Sequence, residues 1–200
     1  MEFPRMYLEI QDHPDHLCQG DIFTSFESEA LQPIKPKEAA FIVLTYTCDL
    51  KNPKDLDYIT YSPIFTLDQI LEDIINQYKI KYSNNKPPKN LLDSIIQRIL
   101  KLSSNTKRFL FFLSPLPRFN NQIAFANINQ IYSIQKKYSI QILTNRIACI
   151  RSPWKEKLGS MVGYLYNRVA LEDIKKESIV RSIEKMPFVK NFIDEIYEKK

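Results

Sequence analysis

Glycine is almost missing from this chain: 3 residues in 200, beside 2 His, 3 Cys and 1 Trp. A phosphate-cradling P-loop needs two glycines in one loop, and a dinucleotide fingerprint needs three within six residues. Gly20 stands alone, while Gly159 and Gly163 share a helical pattern, so both kinds of loop are excluded. No Gly-x-Ser-x-Gly occurs, which removes the nucleophile elbow of a serine hydrolase. The cysteines, Cys18, Cys48 and Cys149, are odd in number and widely spaced, which argues against a disulfide framework. Long apolar runs are lacking too. The best, Ala39 to Leu44, falls far short of the roughly 20 residues that cross a bilayer. The start, Met1-Glu2-Phe3-Pro4-Arg5, lacks the basic-then-apolar order of a signal peptide. A cytoplasmic protein with no membrane partner is the expectation.

What is present is ordinary globular material, 44% hydrophobic and 26% charged. Its length suits one domain spanning residues 1–200. The net charge of +5 is unevenly spread. Residues 1–75 carry 5 Lys/Arg against 14 Asp/Glu, whereas residues 76–110 carry 8 against 1. A basic middle beside an acidic start reads as a polyanion-binding face, or as a solvated surface whose two halves neutralise each other.

Along the chain the periodicity changes twice. Gly20-Asp21-Ile22-Phe23 opens an alternating strand, and Phe41 to Leu44 is continuously apolar, as in a strand buried on both faces. The exit, Thr45 to Leu50, reads as extended, and Tyr58 to Ile64 reads as a strand closed by Pro63. Thr66 and Gln69 then have capping-box spacing ahead of a helical stripe, Leu67, Ile70, Leu71, Ile74 and Tyr78. A second stripe, Leu92, Ile95, Ile96, Ile99 and Leu102, completes a helical hairpin over residues 67–106. Strands resume over 108–145, including Arg108 to Leu113 and an alternating Tyr138 to Leu143. Residues 152–199 read as helical, with Ser152 as N-cap and Pro153 at the first helical position.

Four groups of residues carry possible chemistry. His13-x-x-His16-x-Cys18 offers three metal ligands, but its spacing matches no common zinc pattern, and a polar loop is the plainer reading. No metal or other cofactor is therefore expected. Cys48-Asp49 follows a buried strand; an acidic neighbour opposes a reactive thiolate, so Asp49 is the better candidate for a ligand-orienting carboxylate. Paired carboxylates are plentiful in residues 1–75, but no spacing singles out one acid–base pair. The hairpin region carries Lys79, Lys81, Lys86, Lys89, Arg98, Lys101, Lys107 and Arg108, interleaved with Tyr78 and Tyr82. Cations with aromatics suit stacking on exposed bases along a nucleic-acid backbone.

The order of elements resembles the MazF/PemK-like toxins, whose small barrels are SH3-like. The resemblance rests on Gly20-Asp21-Ile22, on Phe41 to Leu44, on Ser62-Pro63-Ile64-Phe65-Thr66, on Asn129-Gln130-Ile131 taken as a later strand, and on a closing helix from Ser152 to Val169. It implies an RNA-cleaving toxin, metal-independent, commonly dimeric and neutralised by an antitoxin. In that family an arginine on the second strand and a threonine after the third assist attack by the 2′-OH. Thr66 matches the threonine, but Lys37 stands before the second strand where an Arg-Pro pair belongs, without a bidentate fork. The expectation is thus an α+β protein: an SH3-like β-barrel with an inserted helical hairpin and a helical C-terminal segment. Its expected function is that of a bacterial nucleic-acid-interacting effector, toxin-like or of host-defence type. RNA or another nucleic acid would bind the hairpin, and Lys37, Asp49 and Thr66 would carry any cleavage. An antitoxin or a defence-system protein, or a second copy of the chain, is the expected protein partner. The alternative is a non-catalytic module that binds a protein partner through the acidic N-terminal half.

Overall fold

A computed structural model describes residues 3–26, 40–51, 56–83, 89–103, 110–167, 183 and 186–198. The described chain mixes helices with one antiparallel sheet, an α+β arrangement. Its strands are β1 (Asp21–Thr24), β2 (Ala40–Val43), β3 (Tyr58–Thr66), β4 (Leu110–Leu113), β5 (Ala124–Asn127), β6 (Tyr132–Gln135) and β7 (Arg146–Cys149). The helices are α1 (Thr47–Lys51), α2 (Leu67–Lys81), α3 (Leu91–Ser103), α4 (Ser139–Thr144), α5 (Trp154–Asn167) and α6 (Pro187–Glu198). The strand order is β4-β5-β3-β2-β1-β7, and β6 also pairs with β3. Among the described residues, no helix is long and apolar enough to cross a membrane.

The long β3 organises the sheet. Its first half pairs with β6 and its last three residues with β5, while β2 runs along its other side. Pro63 was expected to end this strand, yet the strand continues to Thr66. The Leu44 N–H donates to the Thr60 carbonyl at 2.9 Å, which sets the ladder parity and turns the nitrogen of residue 63 away from β2. Extending the β3–β5 register by one position sets Asn127 opposite Pro63. The Asn127 carbonyl, which receives no N–H from Pro63, takes the Ser62 hydroxyl at 2.5 Å beside the Gln130 N–H at 2.8 Å. A proline is tolerated because a neighbouring side chain replaces its missing donor.

The two faces of the sheet bury different side chains. Ala40, Ile42, Leu44 and Ile64 join a large cluster with Leu67, Leu71 and Ile74 of α2, Ile95 and Ile99 of α3, and Leu158 of α5. Phe23, Phe41, Val43, Ile59, Tyr61 and Ile134 form a second cluster on the opposite face. Phe41 and Tyr61 meet edge to face at 5.4 Å, the favoured geometry for an aromatic pair. The continuous apolar run of β2 follows from this, because alternate residues feed alternate cores.

The N-terminal segment spans the gap between sheet edges. Leu8 N–H donates to the Cys149 carbonyl and Arg151 N–H to the Met6 carbonyl, both at 2.9 Å. On its other side, the Tyr7 hydroxyl donates to the Ser114 carbonyl at 2.6 Å and the Ser114 hydroxyl to the Pro4 carbonyl at 2.8 Å. The curled sheet is thereby strapped from the end of β4 to the end of β7. Gly20 sits at the entry to β1 with φ +85°, and a Cβ there would stand 3.1 Å from Ile150 Cβ.

Several local expectations change. Residues 47–51 form α1 rather than continuing extended, with Asp49 and Leu50 N–H groups both donating to the Tyr46 carbonyl. Residues 139–144 are helical because only Ile142 of that stretch is buried, and alternation with one buried residue specifies no strand. Asn129-Gln130-Ile131 is the turn between β5 and β6, closed by Gln130 N–H on the Asn127 carbonyl at 2.8 Å. α5 begins one residue later than expected, at Trp154, and the Ser152 hydroxyl bonds Glu156 at 2.6 Å instead of capping the backbone.

Candidate functional site

The hairpin starts from a complete capping box. Thr66 N–H donates to Gln69 Oε1 at 2.8 Å, and Gln69 N–H reaches Thr66 Oγ1 at 3.4 Å. From there the apolar stripe carries α2 across the sheet, and its last turn presents Lys79 and Lys81 near the negative end of the helix dipole. Tyr78 and Tyr82, one helical turn apart, stack at 5.6 Å with rings 12° from parallel. Lys81 lies over the Tyr82 ring at 5.3 Å, and the Arg98 guanidinium of α3 lies over Tyr78 at 5.9 Å. Arg98 also donates to Gln77, so one side chain ties the two helices together. Lys79 instead lies over Phe192 of α6 at 5.6 Å.

Beside this assembly lies a cleft of about 410 Å³, lined by Phe65, Gln69, Gln77, Arg98, Asn129 and Gln130 among others. Carboxamides offer both donors and acceptors, the complement of base edges, and Arg98 belongs to both the cleft and the tyrosine stack. Lys89 is exposed just ahead of α3, and Lys101 lies in α3. Lys86, Lys107 and Arg108 lie outside the described residues, as does Lys37.

The remaining candidates do not gather. Thr66 is half-buried at one end of β3, its hydroxyl directed to Gln69. Asp49 is exposed in α1, beyond the other end, since Thr45 Oγ1 lies 3.0 Å from Thr60 Oγ1. Six residues of strand separate Thr60 from Thr66, roughly 20 Å at 3.3 Å per residue. The Cys48 thiol points to Asp49 Oδ1 at 3.6 Å and is exposed, whereas Cys18 and Cys149 are buried. His16 faces Asp15 at 3.0 Å, and no three metal-ligating side chains come together among the described residues.

Near the Asp49 end, the structure holds polar groups that the sequence pattern did not single out. Asp21 is fully buried, accepting the Cys18 N–H at 2.7 Å and the Arg146 guanidinium at 3.2 Å. Arg146 also donates to the carbonyls of Pro14 at 2.6 Å and His16 at 3.3 Å. Burial raises the Asp21 carboxyl above its ordinary pKa against the lowering pull of the Cys18 amide, Cys149 and Arg146. Burial, with the Asp21 charge added, likewise pushes the thiol of Cys149 up. The available signal was an acid and an arginine at the heads of two apolar strands, Asp21-Ile22-Phe23 and Arg146-Ile147-Ala148.

No protein-family model, curated protein or solved structure matches the chain.

Proposed function

We propose that the chain is a nucleic-acid-interacting effector, toxin-like or of host-defence type, that takes single-stranded RNA across the α2–α3 hairpin. We propose with it that the curled, strapped sheet is an SH3-like barrel of the MazF/PemK-like kind. The observation that carries the reading is the Tyr78–Tyr82 stack with Lys81 and Arg98 laid over its rings, opening onto a carboxamide-lined cleft. Aromatic faces accept bases and cations accept phosphates, and the cleft beside them is lined by carboxamides together with the carboxylate of Asp73. Thr66 is committed to a helix cap and lies far from Asp49. Acid–base assistance needs its groups within hydrogen-bond reach of the same scissile phosphodiester, so these positions favour binding over cutting.

The test uses the full chain with a labelled single-stranded RNA of mixed sequence. Affinity should fall with salt along a log–log line whose slope is about −0.7 per phosphate contacted. Replacing Lys81, Lys89 and Arg98 together by Ser should flatten that line. An unchanged affinity and slope would overturn the hairpin reading. Electrophoresis of the same RNA after incubation separates the two activities, since shortened RNA would restore cleavage.

A further inference from the structure

The 410 Å³ cleft beside the tyrosine stack holds one group that repels a phosphate, the carboxylate of Asp73. Asp73 is exposed on α2 and takes no hydrogen bond or ion pair among the described residues. The Asp68 carboxylate of the same helix, by contrast, is occupied by the Gln122 amide at 2.6 Å. Gln77 stands one helical turn beyond Asp73, and both side chains line the cleft. Gln77 Oε1 accepts from Arg98, a bond that brings the guanidinium of α3 alongside the carboxylate without pairing the two. That bond uses one of the several N–H groups a guanidinium carries. Phe65, Ile70 and Leu110, all half-buried, add apolar surface on which a flat ring can pack. The cleft thus offers a pair of acceptors, a fork of donors and an apolar wall.

The four bases present different edges to such a site. Guanine alone sets two donors side by side, N1–H and the N2 amino group, and continues into two acceptors, O6 and N7. One carboxylate accepts both donors, and an arginine fork donates to the acceptors. Adenine and cytosine place a bare ring nitrogen beside their amino group, so a carboxylate meets it lone pair to lone pair. Uracil has a single N–H between two carbonyls. We infer that the cleft selects guanine, with Asp73 accepting N1–H and N2–H, Arg98 donating to O6 and N7, and the ring against Phe65, Ile70 and Leu110. The inference rests on the binding of single-stranded RNA by the hairpin and names the base that its cleft takes.

The test uses the full chain with labelled uridine oligomers carrying one central guanosine, read by fluorescence anisotropy. Replacing that guanosine by adenosine, cytidine or uridine should weaken binding about tenfold, the scale of one good bidentate contact. Inosine keeps N1–H, O6 and N7 but lacks the N2 amino group, so it should bind between guanosine and adenosine. Asp73→Asn should erase the difference between guanosine and inosine and turn the preference toward adenosine, whose donor-and-acceptor edge matches an amide. The all-uridine oligomer should bind that variant more tightly, because a negative charge has left the cleft. Asp73 is exposed, so the variant should unfold at the urea concentration of the native chain. Salt-dependent binding with equal affinity for all four bases would overturn the guanine assignment and leave the hairpin reading standing. A guanosine preference that inosine shares in full, or that survives in Asp73→Asn, would overturn it as well. Failure of every oligomer to bind would overturn both.

Discussion

At the Thr60 end of β3, polar side chains are taken inside the protein, whereas at the Thr66 end they stand on its surface. Gln19 and Asp21 are nearly or fully buried, and each is fastened to backbone groups of neighbouring segments. Lys79 and Lys81 are exposed, and Tyr78, Tyr82 and Arg98 are half-buried. Lys81, Arg98 and the two tyrosines hold one another through ring contacts. Burying a polar group costs stability unless it is hydrogen-bonded, so the Thr60 end depends on bonds that a substitution can break. An exposed cationic face costs little, tolerates sequence change and responds to salt. The two ends thus differ in what a mutation there should disturb, stability in one case and affinity in the other.

The largest expected effect lies at the buried end. Asp21→Ala strands the Arg146 guanidinium in the interior and should cost about 3–5 kcal/mol in urea denaturation. Lys81→Ala at the exposed end should stay within about 0.5 kcal/mol by the same measurement. Equal losses would erase the distinction. Next, Tyr78→Ala should weaken single-stranded RNA binding by about 1–3 kcal/mol for the stacked base, read by fluorescence anisotropy. Thr66→Ala should lower stability by about 1 kcal/mol through loss of the cap, with Thr66→Ser restoring most of it. A loss of RNA cleavage in Thr66→Ala at full stability would instead assign the hydroxyl to chemistry.

The smallest effect is a pH slope. Asp21 has a raised pKa in the folded chain, so the native state holds that proton to a higher pH than the unfolded state, where Asp titrates near about 3.9. Its stabilising contribution is full below the unfolded value and is lost as pH rises through the folded one. The urea midpoint of the native chain should therefore fall, relative to that of Asp21→Asn, as pH rises above about 4. Parallel profiles would show that the carboxyl has no such shift.

Legibility in the sequence divides along the same line. The hairpin was readable because its information is local: Thr66 and Gln69 are three residues apart, and its apolar stripes and lysines recur within single helices. The apolar run of β2 was readable for the same reason. Helix α1 was not, since Thr45-Tyr46-Thr47 favours strand and five residues carry too little pattern to oppose it. The β5–β6 turn was missed because Asn127 to Gln130 contains neither glycine nor proline. At the Thr60 end, Gln19, Tyr46 and Gly159 come from three distant segments, and only the fold brings them together. The small-residue face of α5 was visible, but its opposing partners were not.

The N-terminal strap has a kinetic consequence. Residues 4–8 are joined to Ser114 across sequence separations of 107 to 110 residues, and to Cys149–Arg151 across more. Contacts of that span are paid for in loop-closure entropy before they return anything, and they slow folding. The strap must wait for β4 and β7 before its residues find their places. Until then the edges of both strands stand open to pairing with another chain. Closure of the sheet by the strap therefore rests on contacts with a high loop-closure cost.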